Sequence, residues 1–346
     1  MKSLKISLFI TIIASLIVSL SACNSNEPTD SKNTLTTVSA SIFPIYDIAK
    51  QIGGDKIQAH LLIQPGESPH TFEPTVTTKK NISNSNTVFV VGHLLDNWIE
   101  NLVDDKSKVV VVDKNISLMR YEDDDHDEHE KDHASHDNHD DHDKDHDDHD
   151  KDHDDHDKDH DDDHDKDHDD HAGHAHGEFD PHYWLSPSNG IQIAFNIKEE
   201  LKRLDSNNSD YYENNYKIFK SSIENLRDQL LDQSRTIQNA PFVTMHAAWE
   251  YYGNAFNLNI AGSFEPEAAE EPTPRYLKEL QHTIEKENVK VIFSEPQLSI
   301  SSLSAFISDN GLGIGILDPL GGSEDNDSYQ KILQYNMDVL REKLEE

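Results

Sequence analysis

Apolar and polar positions along this chain repeat one pattern twice. From residue 35 onward, short runs rich in β-branched residues alternate with helical stretches: LTTVSA at 35–40, IQAHLLI at 57–63, TVFVV at 87–91 and VVVVD at 109–113. The alternation resumes with FVTMH at 242–246, LNIA at 258–261, VKVIF at 289–293 and GIGIL at 313–317. Continuous apolar runs of this kind suit parallel strands covered on both faces. Four strands before and four after predict an α/β fold of two lobes, each a four-stranded, mainly parallel sheet flanked by helices. The length agrees, because 346 residues exceed the ~250–300 at which a single core stops growing efficiently.

Residues 209–238 separate the two halves and contain neither Gly nor Pro. Tyr212, Tyr216, Phe219, Ile223, Leu226 and Leu230 follow one another at steps of four and three, which places one apolar stripe along a helix. At 1.5 Å per residue such a helix is about 40 Å long, enough to run beside both lobes as a stiff backbone. A helix packed inside one lobe fits the same stripe. The expected organisation is a signal segment at 1–22, a tether at 23–34, a first lobe at 35–208, the linking helix at 209–238 and a second lobe at 239–346.

The first residues read as a targeting segment: Lys2 and Lys5 precede an apolar run from Ile6 to Leu20. That run is shorter than the ~20 residues a membrane span needs. It ends in Leu20-Ser21-Ala22-Cys23, a sequence that resembles a bacterial lipobox, so Cys23 is the expected lipidation site and first mature residue. Two acyl chains there would anchor the protein stably to the outer face of the cell membrane. Cys23 is the only cysteine, which excludes a disulfide within the chain and a thiolate metal site in the folded part.

The net charge of -37 is uneven. Residues 122–171 hold 28 acidic residues against 5 lysines and carry -23 of it. No cluster of Lys and Arg appears, which argues against nucleic acid as a partner and for a cationic ligand. The stretch 122–176, with its KDHDDHD copies, has no apolar heptad positions, and like-charge repulsion predicts an insert without stable structure. It holds 16 of the 22 histidines. A merely solubilising run has no need of so many imidazoles, so weak metal collection is the favoured reading over a solvated acidic loop. HEKDH at 129–133 matches a zinc-protease pattern, but that motif needs a stable helix, so no enzyme is expected.

Three of the remaining six histidines stand in unusual settings. His70 lies in PGESPHTFEP, a Pro- and Gly-rich loop after a predicted strand, and His182 lies in FDPHYWLSP, also bracketed by prolines. His246 ends FVTMH. Ligands in α/β sheets gather beyond the carboxyl ends of strands, where His70 and His246 are expected. Three converging imidazoles with no thiolate make a plausible site for Zn2+, which prefers four tetrahedral ligands; Asp318 in LDPLGG or a water would supply the fourth. His60 reads as a strand residue, His93 as a loop residue able to line a cleft, and His282 as solvated on a helix. Trp98, Trp184 and Trp249 are expected to shield the site from water, with Tyr251 and Tyr252 in the same role.

PHTFEP, DPHYWLSP and TMHAAWEYY, together with SASIFPIYDIAKQIGGDK, FSEPQLS and ILDPLGG, resemble the zinc-specific solute-binding proteins of the metal-importing ABC family. The resemblance runs from Leu35 to the C-terminus outside the acidic insert. It implies two lobes joined by one long helix, metal in the cleft between them, and histidine ligands at His70, His182 and His246. It also implies Zn2+ as the transported ligand, an ABC permease and its ATPase as partners, and a monomer anchored by lipid outside the cytoplasm. Manganese-selective relatives typically carry a carboxylate at the third position, where this chain has His246. Some zinc relatives place a Glu after the Pro-Leu of the last motif, where this chain has Gly321. The remaining alternatives are a surface zinc reservoir or adhesin on the same fold, and a manganese-binding relative.

Overall fold

The computed structural model describes residues 35–121, 177–264 and 272–345. The signal segment, the tether, Cys23 and the acidic insert with its HEKDH motif lie outside the described residues.

The first half runs β1 (Thr36–Ala40), α1 (Phe43–Gly53), β2 (Ile57–Leu61), α2 (Val76–Asn84), β3 (Thr87–Val90) and β4 (Val109–Val111), then α3 (Pro187–Leu204) beyond the insert. The helix α4 (Ser209–Ser234) follows. The second half runs β5 (Phe242–Thr244), α5 (Glu250–Phe256), β6 (Ile260–Ser263), α6 (Pro274–Glu287), β7 (Val291–Ser294), α7 (Ser304–Asp309), β8 (Gly313–Ile316) and α8 (Tyr329–Leu344). The strand orders are β2-β1-β3-β4 and β6-β5-β7-β8, and every pairing is parallel. The two halves therefore share one topology. In each, the chain leaves its first strand to one side and returns to the other, creating a switch point beyond the carboxyl ends of β1 and β3 and of β5 and β7.

All eight expected strands are present, with ends moved by a residue or two. The largest shift is at LNIA, where β6 begins at Ile260. Asn257 adopts the left-handed conformation at the end of α5 and Leu258 N–H donates to the Gly253 carbonyl at 2.9 Å, so the first residues of the expected strand close the helix instead. Helix starts follow local chemistry. Thr75 and Thr78 form a reciprocal cap on α2, Thr273 caps α6 ahead of Pro274, and Ser328 caps α8.

The linking helix α4 begins where the pattern placed it and ends at Ser234. Tyr212, Phe219, Ile223 and Leu230 are buried, and Tyr216 and Leu226 partly so. α4 packs on α1 and α3 of the first half and on α5 and α8 of the second. A single apolar cluster runs through both halves, from Val38 and Phe89 through the α4 stripe to Phe242 and Phe293. The outer faces of the two sheets bury smaller clusters, around Ile82 and Val88 in the first and Leu280 and Ile292 in the second. A shared core and a helix common to both sides leave the lobes little freedom to swing apart. Among the described residues no helix is long and apolar enough to cross a membrane.

Candidate metal centre

The second switch point supplies one side of the site. Pairing continues past β5, with Met245 N–H donating to the Phe293 carbonyl at 2.8 Å, and the Thr244 hydroxyl donates to the His246 carbonyl at 3.0 Å. His246 is thereby fixed just beyond the strand end, 6% exposed. On the neighbouring strand, Glu295 follows β7 directly and is also buried. Its carboxylate accepts from His246 Nδ1 at 3.0 and 3.1 Å and from Trp249 Nε1 at 2.9 Å.

The first lobe supplies the other side. The Asp180 carboxylate accepts both the His182 backbone N–H, at 2.9 Å, and His182 Nδ1, at 2.8 Å. Pro181 between them restricts the turn, so the DPH sequence builds its own ligand and orienting carboxylate. The next residue, Tyr183, donates its hydroxyl to the Val91 carbonyl at the end of β3, at 2.9 Å. His70 sits on the loop after β2; its neighbour Phe72 packs its ring against Trp98 with 4.9 Å between centroids. His182 is buried and His70 exposed, so the site opens to solvent on the His70 side.

The three imidazoles meet. One ligand atom from each of His70, His182 and His246 lies within 4.8 Å of the others. Their ring centroids are 5.6 Å apart for His70 and His182, 5.0 Å for His70 and His246, and 4.7 Å for His182 and His246. For Zn–N bonds of ~2.1 Å and tetrahedral angles, simple trigonometry puts such centroids about 5.2 Å apart, so the donor set fits a tetrahedral ion. With Nδ1 of His182 and His246 committed to carboxylates, Nε2 is left as the ligating nitrogen on both. That second tier of hydrogen bonds is what usually fixes the tautomer and raises the basicity of a metal-binding histidine.

Asp318, expected as a possible fourth ligand, does not join the three. Its carboxylate accepts from Leu320 N at 3.1 Å, Gly321 N at 2.8 Å and Asn326 Nδ2 at 3.0 Å. These bonds use it to hold the LDPLGG turn. Gly321 shows why a Glu is not accommodated there: its φ is +67° and a Cβ would lie 2.5 Å from the Ile332 side chain. His93 bonds Asp113 at 2.9 Å rather than the cluster, His60 lies on β2, and His282 is exposed on α6.

Asp180 and Glu295 were not expected at the site. The spacing of Asp180 two residues before a histidine was a readable signal. For Glu295, a carboxylate one residue past a strand was visible in FSEPQLS, but its partner 49 positions away was not. Trp249 does more than exclude water, since it donates to the carboxylate that orients His246.

The family model described as zinc-uptake complex component A, periplasmic, matches residues 38–343. The chain belongs to this family. It is a family of substrate-binding proteins of ABC transporters, not of enzymes. The zinc-binding lipoprotein AdcA of Streptococcus pneumoniae is 24% identical over 98% of this chain, which spans 60% of that protein's length. The manganese ABC transporter substrate-binding lipoprotein PsaA of Streptococcus mitis is 25% identical over 98% of this chain and 99% of its own. A crystal structure of ZnuA superposes with a TM-score of 0.67 at 23% identity, over 90% of this chain and 99% of that one, which shows a common fold.

Proposed function

We propose that this chain is the zinc-capturing component of an ABC importer. It binds Zn2+ between the lobes through His70, His182 and His246 and delivers it to a membrane permease driven by its ATPase. The observation that carries the reading is the convergence of three imidazoles from opposite lobes, two of them backed by buried carboxylates. Relatives named for zinc and for manganese both match this chain in sequence, so selectivity rests on the donor atoms. Three nitrogen ligands suit zinc, whereas manganese prefers carboxylate and water oxygens. With Asp318 held in its own turn, water completes the tetrahedron. Asp180 and Glu295 offset the charge of the dication.

Lipidation at Cys23 would hold the protein, as a monomer, on the outer face of the cell membrane, where its cargo arrives. The acidic, histidine-rich stretch 122–176 would gather zinc weakly and raise its concentration beside the cleft. Calorimetric titration of a chain lacking residues 123–175 tests the core of this proposal. One tight Zn2+ per chain, with Mn2+ bound at least a hundredfold more weakly, is expected. Loss of all tight binding would move the site into the insert, and tighter binding of Mn2+ would overturn the choice of metal.

A further inference from the structure

The second lobe touches the first beside the site through a hydroxyl that plays no part in ligation. Where the chain departs toward the insert and returns from it, two segments run side by side. Asp180 N–H donates to the Met119 carbonyl at 2.9 Å, and Arg120 and Phe179 form an antiparallel bridge. Arg120 also pairs with Glu178 and lies over the Phe179 ring, 5.0 Å from its centroid. Tyr251 comes from α5 of the other lobe, five residues past His246, and its hydroxyl meets both segments. It accepts from Met119 N–H at 2.8 Å and donates to the Asp180 carbonyl at 3.3 Å. One proton and two lone pairs allow both bonds at once.

Asp180 is the residue whose carboxylate orients His182. On the other flank of His182, the second lobe grips Trp184 twice. Trp184 Nε1 donates to the Pro319 carbonyl at 2.8 Å, and the Tyr329 hydroxyl donates to the Trp184 carbonyl at 2.6 Å. His182 belongs to the first lobe by chain order, yet contacts from the second lobe bracket it. Burial pushes the Tyr251 hydroxyl up to about 12, so it keeps its proton at neutral pH.

We infer that Tyr251 is a positioning residue for metal capture: its hydroxyl fastens the second lobe to the Asp180 backbone and so sets His182 in register with His246. This rests on the zinc-capture reading above. It adds that affinity depends on a group that never touches the ion and that lies on the lobe opposite to the ligand it positions. It also ties the base of the insert to the metal centre.

The test is Tyr251→Phe in the full chain, which removes one oxygen and keeps the ring. Zinc release is followed by stopped flow into excess chelator, alongside thermal melts of the metal-free chain. Outer contacts of metal ligands typically contribute 10–100-fold in affinity, and a group one step further out is expected to contribute about three- to tenfold, seen as faster release of the tightly held ion. The metal-free melting temperature should stay close to the wild-type value. In a double-mutant cycle with Asp180→Asn, the two effects should not add, because the hydroxyl acts through Asp180.

Unchanged release, additive effects, or a metal-free chain that melts much earlier or fails to fold would each overturn the inference; the last would assign the hydroxyl to the core alone. If the wild-type chain itself held no zinc tightly, the functional reading would fail first. A tight wild type with an equally tight variant would sink only the role of Tyr251.

Discussion

Glu295 offers the sharpest test of the site, because it contacts a ligand without being one. Its carboxylate takes hydrogen bonds from His246 Nδ1 and Trp249 Nε1 and is 5% exposed. Glu295→Ala would leave two buried N–H groups without an acceptor. Each such orphan costs about 1–3 kcal/mol, so the two together should cost the metal-free chain about 2–6 kcal/mol. Glu295→Gln separates folding from function. Trp249 Nε1 and His246 Nδ1 both approach Oε1, so an amide oxygen there still accepts from each, while the charge is gone and an NH2 donor replaces Oε2 at 3.1 Å from His246 Nδ1.

Metal-free stability of the Gln variant should fall by less than that of the Ala variant. Its zinc affinity should fall about tenfold, near 1.4 kcal/mol, and that of the Ala variant toward a hundredfold, near 2.7 kcal/mol. Competition against a chromophoric zinc chelator measures affinity, and denaturant melts of the same samples without metal measure stability. A Gln variant within threefold of wild-type affinity would refute the argument. It would mean that His246 does not need its Nδ1–H held by an anion, so that the charge of Glu295 adds nothing to ligation through Nε2.

Replacing His246 with Asp puts an oxygen where the third nitrogen stands, and the ratio of Zn2+ to Mn2+ affinity should drop by at least tenfold in parallel titrations. An unchanged ratio would detach selectivity from this position. Protons compete for imidazoles whose unperturbed pKa is ~6.5, so zinc affinity measured at fixed ionic strength should fall below that pH, by more than tenfold per unit as several histidines protonate together. A flat profile down to pH 5 would exclude histidine ligation. Burial raises the Asp96 carboxyl above its ordinary value, against the bonds it accepts from the Val91 and Gly92 N–H groups. The folded chain therefore holds that proton more tightly than the unfolded one, and this contribution to stability is full below pH 3.8 and lost as pH rises through the native value. Relative to Asp96→Asn, the wild type should lose stability with rising pH across that window, as read from urea melts; a difference independent of pH would contradict the sign.

Much of this protein is written in local patterns. The eight apolar runs specify strands because a backbone covered on both faces tolerates few polar side chains, and the four-three spacing from Tyr212 to Leu230 specifies one helix stripe without reference to anything distant. His70, His182 and His246 were recognisable because Pro-bracketed loops and a strand end are local features too. Tertiary structure alone decided what those groups meet. Asp318 looked like a ligand at a strand end, yet the turn that follows it claims both its oxygens. Glu295 carried no expectation, yet the parallel order of β5 and β7 sets it against His246. Tyr251 read as packing until the lobes came together around its hydroxyl. Hydrophobic periodicity is a property of neighbours in the chain, whereas a hydrogen bond between residues dozens of positions apart depends on sheet order and lobe closure, which no short segment encodes.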